Sequence, residues 1–349
     1  QTIYIDPPYN TGSDEFLYRD KYRHSSWLTM MENRLSLARE LMSDDGVIFV
    51  SIDDNEAKNL SILMDEIWGM VNYLNTFCWV SNLKGRQILK NGAAKTHEYI
   101  LAYAKNIKNT TVFEIRIKTA QTLMSSSYKG FDYEVESDEQ GEFIIKNELY
   151  NTNSYFNEET RPNLVFNIHY NFETQEIRFS EIYEDIDYEG FVKIPPKKNN
   201  DGIHKFHAWR WSKEEIIKRK SDLKFVKTKD GVKIFTKVRE FDKTMLKDII
   251  SDISSTRGAN EIRDFFGNKI FSSYPKPTDL IKIFIYQSKE EDIILDFFAG
   301  SGTTAHAVMK LNKEDGGRRK FILVEMADYF DTVIIPRIKK VAYSFNWKD

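Results

Sequence analysis

The run Val47-Ile48-Phe49-Val50-Ser51-Ile52 follows an Asp45-Gly46 turn and is apolar at every position but Ser51. A strand of that composition is buried on both faces, so it belongs to a sheet with helices packed on each side. Its surroundings agree. Thr2-Ile3-Tyr4-Ile5 is a short β-prone run, and residues 26–43 place apolar side chains at helical spacing behind Ser25 or Ser26. Residues 53–68 predict a second helix, and 73–80 and 98–104 two more strands. The same texture returns near the other end. A helix is predicted over Pro277–Gln287, with Pro277 at a tolerated first-turn position. A strand over Asp292–Phe298, a helix over Thr303–Leu311, a strand over Lys320–Glu325 and a helix over Tyr329–Tyr343 follow. Such alternation predicts a parallel, doubly wound α/β sheet built from both ends of the chain.

Between these ends, residues 106–270 break into short aromatic and β-branched runs separated by polar turns, with short helices predicted over Trp211–Arg219 and Lys243–Ile253. We therefore expect three segments: residues 1–105, an inserted α+β domain over 106–270, and 271–349. The length of 349 residues fits about two domains. Opening at Gln1 in the body of a strand, the chain reads as a fragment lacking its true start. Cys78 is the single cysteine, which excludes an internal disulfide framework or a thiolate zinc cluster and suits a reducing compartment, the cytoplasm. No stretch reaches the roughly 18 apolar residues of a membrane span.

Net charge is −3, which does not suggest a polyanion as partner, but the charge is unevenly placed. Residues 120–190 hold 16 acidic and 4 basic side chains, whereas 193–240 hold 15 basic and 6 acidic ones. Two explanations compete: a surface facing a polyanion beside one facing away from it, or two solvated faces that attract each other.

Two short motifs carry chemistry. Asp6-Pro7-Pro8-Tyr9 closes the first predicted strand, at the sheet edge where α/β folds bind ligands. The prolines stiffen the backbone and remove two N–H donors. A carboxylate and a rigid carbonyl then form an acceptor pair for an amino group, beside an aromatic face for a flat heterocycle. A base extruded from a duplex has that shape, although a proline-stiffened strand exit with a core tyrosine is the plainer alternative. The second motif, Asp296-Phe297-Phe298-Ala299-Gly300-Ser301-Gly302-Thr303-Thr304, joins a strand to a helix without the spacing of a pyrophosphate cradle. Glu325 ends the next strand, 29 residues after Asp296, and an acidic residue there accepts hydrogen bonds from ribose hydroxyls. Together they point to an adenosine-containing ligand.

The motifs lie in an order that resembles the β-class amino-methyltransferases of DNA, and more narrowly the modification (Mod) subunits of type III restriction–modification systems. The resemblance rests on IYIDPPYNTG at 3–12, SWLTMMENRL at 26–35, GVIFVSIDDNE at 46–56 and HEYILAYAKN at 97–106. It continues through WRWSKEEI at 209–216, FSSYPKPTDLIK at 271–282 and LDFFAGSGTTAHAV followed by DGGRRKFILVE. It implies a Rossmann-like S-adenosylmethionine-dependent methyltransferase sheet, with its motifs circularly permuted around an inserted target-recognition domain. By the resemblance, Asp6, Pro7, Pro8 and Tyr9 are catalytic: Asp6 and the Pro7 carbonyl hold an adenine N6 amine while Tyr9 stacks on the flipped base. Lys276, Thr278, Asp296, Phe298, Ala299, Gly300, Gly302 and Glu325 bind the cofactor, with Lys276 near its methionine end.

Aspartate at the first position of the catalytic motif favours adenine N6, with cytosine N4 as the alternative; a non-catalytic DNA-recognition subunit of a restriction complex is another. Lys205, Trp209, Arg210, Trp211 and Lys213 are the candidate DNA contacts, one of the tryptophans being expected instead in the core. Double-stranded DNA, a second copy of the chain and a nuclease–helicase restriction subunit are the implied partners. The scattered histidines suggest no metal site, and His97, His204 and His207 read as structural or surface residues.

Overall fold

The computed structural model describes residues 2–12, 22–85, 93–130, 133–267 and 274–344. It divides into two compact units, Gln1–Phe131 together with Asp242–Asp349, and Asp132–Phe241. The second unit is narrower than the 106–270 expected from sequence texture. The reason lies in pairing: Ile249–Ile250 runs along Tyr73–Trp79, and Lys243–Met245 pairs with Glu114–Arg116. The helix expected over Lys243–Ile253 is thereby corrected to two short strands. Thr244, Ile249 and Ile250 are β-branched, and the sheet edge supplies backbone partners that a helix would leave unused.

The first unit is built on seven strands in the order Ile249–Ile250, Tyr73–Trp79, Glu98–Ala104, Val47–Ile52, Thr2–Ile5, Ile293–Asp296 and Lys320–Leu323. The sheet is mixed rather than wholly parallel, since Glu98–Ala104 runs antiparallel to both neighbours. The described residues joining it to Tyr73–Trp79 contain no crossover helix, and a parallel return needs one. Along the central strands the side chains alternate between two cores. Ile3, Ile5, Ile48, Val50 and Ile52 meet the helices His24–Leu41 and Ala57–Trp68. Tyr4, Val47 and Phe49 meet Thr278–Ile285 and Thr303–Asp315 on the other face. That double burial is why Val47–Ile52 carries almost no polar residue.

The topology places a crevice. From Thr2–Ile5 the chain proceeds to the adjacent strand Val47–Ile52, whereas from Ile293–Asp296 it proceeds to Lys320–Leu323 on the opposite side. These four strands are parallel, and their connections diverge between Thr2–Ile5 and Ile293–Asp296. Ligands bind at such a switch point, outside the carboxyl ends of the strands. Asp6, Asp53, Asp296 and Glu325 all stand at that edge. No helix among the described residues is long and apolar enough to cross a membrane.

The second unit, taken by itself, has a four-stranded antiparallel sheet of Leu223–Thr228, Gly231–Val238, Gly141–Glu148 and Val135–Asp138. A three-stranded sheet of Val192–Ile194, Phe166–Tyr170 and Ile177–Glu181 accompanies it. Leu149, Phe166, Ile168, Trp209 and Ile216 form the centre of its core. The helix predicted at Trp211–Arg219 is the shorter Lys213–Lys218, capped by Ser212, whose hydroxyl accepts from the Glu215 N–H.

Candidate active site

At the switch point a cavity of about 530 Å³ is walled by both ends of the sequence. Asp6, Pro7, Pro8 and Tyr9 line it from the first strand; Asp296, Phe298, Ala299, Gly300 and Glu325 line it from the last two. Lys276 lines it as well. The structure thus brings together all but two of the catalytic and cofactor candidates. Thr278 and Gly302 stand behind the wall. Gly302 takes a left-handed conformation (φ 76°) to open the helix Thr303–Asp315, and a Cβ there would press on Ile334 at 3.3 Å.

The catalytic-motif side is held rigidly. Trp27 Nε1 donates to the Pro8 carbonyl at 2.8 Å, pinning the proline turn to the helix beneath it. Asn10 adopts a left-handed φ of 59° and donates to Glu56 Oε1 at 2.6 Å. Glu56 is fully buried and also accepts from Asn59 at 2.7 Å. The Tyr9 hydroxyl donates to Glu98 Oε2 at 3.0 Å, and the Lys276 ammonium lies 2.9 Å from Asp6 Oδ1 and 3.3 Å from Glu98 Oε2. Burial works against the charge on Lys276, but Asp6 and Glu98 outweigh it and hold the ammonium above its ordinary pKa. Burial, then Asp6 and Glu98, push the Tyr9 phenol up, so it stays a neutral donor. Lys276 reaches this position because Gly258, in the helix Thr256–Phe266, lets the Pro275 carbonyl approach where a Cβ would lie 2.0 Å away.

The glycine-loop side is tied through its carboxylates. Asp296 Oδ2 accepts from Thr304 Oγ1 at 2.5 Å and Oδ1 from the Phe298 N–H at 3.0 Å. Burial dominates nonetheless and raises its pKa to about 7, with Asp6 and Glu325 adding to the rise. Glu325 accepts from the N–H groups of Gly300, Met326 and Ala327 at 2.9, 2.8 and 3.0 Å, which fixes the loop against the next strand end. Arg34 lies over the Phe298 ring at 5.7 Å.

Sequence inspection missed the support behind this loop. Arg337 is fully buried and donates to Thr303 Oγ1 at 2.8 Å, Ser301 Oγ at 3.0 Å and the Ser301 carbonyl at 3.2 Å. Its other nitrogen faces Glu261 at 3.3 Å and His306 Nδ1 at 3.2 Å, while Thr278 donates to Glu261. Burial lowers Arg337 to about 10; burial and Arg337 hold His306 at about 2, as a neutral acceptor. Glu98, Trp79, Asp53 and Lys95 were missed on the cavity wall. Glu98 was discoverable as a carboxylate opening an otherwise apolar strand; the partners of Arg337 come from distant segments and leave no local signal.

Of the surface candidates in the second unit, Trp209 is corrected to a core residue: it is 5% exposed and its Nε1 donates to the Phe166 carbonyl at 2.8 Å. Arg219 covers the Trp211 ring at 4.2 Å, and Lys213 pairs with Glu181 at 2.6 Å. Lys205 and Arg210 are exposed, Arg210 Nε donating to the Tyr150 carbonyl. Part of the uneven charge is met by ion pairs between the two stretches, among them Lys237–Asp138, Arg239–Asp138, Lys233–Glu148 and Lys213–Glu181.

A crevice at the switch point of an α/β sheet, with carboxylates at four strand ends and a glycine turn into a helix, defines a nucleotide-ligand site of the Rossmann-like class. The chain belongs to the DNA methylase family of the N6/N4 type, whose model matches residues 1–335. It is 32% identical over 386 residues to the type III restriction-modification enzyme EcoPI Mod subunit of Escherichia phage P1, covering 99% of this chain and 56% of that protein. It is also 32% identical over 340 residues to the type II methyltransferase M.KpnI of Klebsiella pneumoniae, covering 92% of this chain and 74% of that one. The chain spans about half the length of the Mod subunits it matches. Among solved structures, the PvuII DNA methyltransferase (cytosine-N4-specific) aligns over 98% of this chain and 83% of that one, with 10% identity and a TM-score of 0.46.

Proposed function

We propose that the protein transfers a methyl group from S-adenosylmethionine to the N6 amine of a flipped adenine in double-stranded DNA. Its setting is the modification subunit of a bacterial restriction–modification system, in the cytoplasm. The observation that carries this reading is the one cavity shared by Asp6–Tyr9 with Asp296, Phe298, Ala299, Gly300 and Glu325. Its donor set fits the cofactor: Phe298 offers apolar surface to a purine, Glu325 a carboxylate to a ribose, and Asp296 and Asp6 negative charge to a sulfonium and an amino group. When bound, S-adenosylmethionine supplies an electrophilic methyl group on sulfur, leaving as a neutral thioether.

The protein's own work is positioning and acceptor strength. Asp6 and the Pro7 carbonyl accept from the two amine hydrogens, turning the nitrogen lone pair toward the methyl group. Those acceptors strengthen as the amine becomes cationic, and the Asp6 carboxylate receives the surplus proton once the N–C bond has formed. Tyr9, held by Glu98, presents its ring to the base. Aspartate at position 6 favours adenine. Exposure of Lys205 and Arg210 in the second unit supports their meeting phosphates or base edges, with the unit as the target-recognition domain. A homodimer and a nuclease–helicase partner complete the reading.

The test is incubation with S-adenosylmethionine labelled in the methyl group and DNA free of adenine methylation, followed by nucleoside analysis. N6-methyladenine is expected. N4-methylcytosine would overturn the base assignment, and cofactor binding without label would overturn the catalytic one.

A further inference from the structure

The Lys276 side chain is not where a cofactor residue alone would put it. The side chain is 9% exposed, and its ammonium sits 2.9 Å from Asp6 Oδ1, 3.3 Å from Glu98 Oε2, and 4.7 and 5.6 Å from the ring centres of Tyr9 and Trp79. Two carboxylates and two aromatic faces make a closed box around a cation. The Asp6 side chain keeps 29% of its surface exposed, yet its Oδ1 has none. Oδ1 is thus buried against Lys276, and the exposed part of the Asp6 side chain, which lines the cavity, lies away from that oxygen.

We propose that Lys276 is a positioning residue for the amine acceptor, gripping the inner oxygen of Asp6 from the Glu98–Tyr9–Trp79 box so that the outer oxygen meets the target amine. This rests on Asp6 being that acceptor. The physical need is clear from what else faces Asp6. Glu98 and Asp296 are like charges, and Tyr4 and Tyr9 supply only neutral phenols. Lys276 is the cation in ion-pair contact with this carboxylate, at 2.9 Å, and a contact to one oxygen leaves the other free to accept. Glu98 then has a role of its own: it anchors Lys276 and Tyr9 together, so the aromatic face and the acceptor share one support.

The experiment compares Lys276→Met, Lys276→Arg, Glu98→Gln and Asp6→Ala, reading kcat against pH and, by calorimetry, S-adenosylmethionine affinity. Expected for Lys276→Met is a roughly 10²-fold fall in kcat, with the acid limb of the profile moved to higher pH and cofactor affinity kept within about threefold. Lys276→Arg restores part of the rate and of the profile, and Glu98→Gln gives a smaller loss in the same direction. Loss of cofactor affinity with an unmoved acid limb would make Lys276 a cofactor residue and overturn the proposal, as would a wild-type rate and profile. Should Lys276→Met fail to fold, Glu98→Gln and Lys276→Arg decide by the same two readouts. Asp6→Ala tests the underlying reading separately: retained transfer there rejects Asp6 as acceptor, whatever Lys276 does.

Discussion

Both units of this protein are rich in charge, and they use it in opposite ways. In the sheet unit, ionisable groups at and behind the cavity are desolvated: Asp296 is 3% exposed, Lys276 9%, and Arg337 not at all. In the inserted unit the pairs of Asp138, Glu148 and Glu181 reach no such depth, and Lys213 and Glu181 stand in water with side chains 34% and 63% exposed. The number of charges does not distinguish the regions, since the inserted unit has the greater imbalance along its sequence. Environment does. A charge out of water must be matched by specific partners, and a mismatch appears as a shifted pKa; an exposed pair is screened and contributes little.

The sharpest break of this contrast is Asp6→Ala. Removing the acceptor is expected to lower methyl transfer by about 10³-fold or more with cofactor affinity near wild type, measured by label incorporation and calorimetry. Parallel loss of both would show that the two sides of the cavity do not divide their work. Next in size is Trp209→Ala. Emptying the core of the inserted unit is expected to cost about 3–5 kcal/mol of that unit's stability in denaturant titration. Cofactor binding is expected to survive, and its loss would show that the two units are not energetically separate.

A third effect tests the buried charge itself. With its pKa raised to about 7, Asp296 is protonated below that pH and ionised above it. In the unliganded protein its contribution to stability is full below its ordinary pKa of 3.8 and is lost as pH rises through about 7. A cationic ligand prefers the ionised form, so affinity for S-adenosylmethionine is expected to rise by about tenfold per pH unit below 7 and level off above it. Calorimetry in buffers of different ionisation enthalpy should show a proton released on binding near neutrality, and Asp296→Asn should abolish both the slope and the proton.

How much of this was legible in the sequence follows the same division. The strand run Val47–Ile52 announced its double burial through composition, and the two motifs announced their sheet edge because a strand end can be read locally. The mixed sheet was not legible, since the direction of Glu98–Ala104 depends on a connection and not on the strand's own residues. Nor were the short strands at Lys243–Met245 and Ile249–Ile250, whose partners lie more than a hundred residues upstream. In the site, Asp6 and Asp296 were found because each adjoins a distinctive turn. Arg337 was missed because its role exists only in the partners that folding supplies, whereas Glu98 had a local signal as a carboxylate opening an apolar strand. In the inserted unit, aromatic residues among lysines suggested a surface, and burial of Trp209 showed that hydrophobic anchoring had the prior claim.

The smallest effect sharpens the exposed side of the contrast. Lys205 and Arg210 are exposed and carry no carboxylate ion pair among the described residues, whereas Lys213 is held by Glu181 at 2.6 Å and lies over the Phe166 ring at 5.2 Å. If the unpaired cations are the ones that meet phosphates, Lys205→Ala and Arg210→Ala should each weaken DNA binding a few-fold. Each should also flatten the dependence of log affinity on log salt by about 0.9. Lys213→Ala should leave that slope unchanged, because its charge is already neutralised before DNA arrives. Equal slopes for all three variants would mean that exposure, and not prior pairing, decides which cations of this unit reach the phosphate backbone.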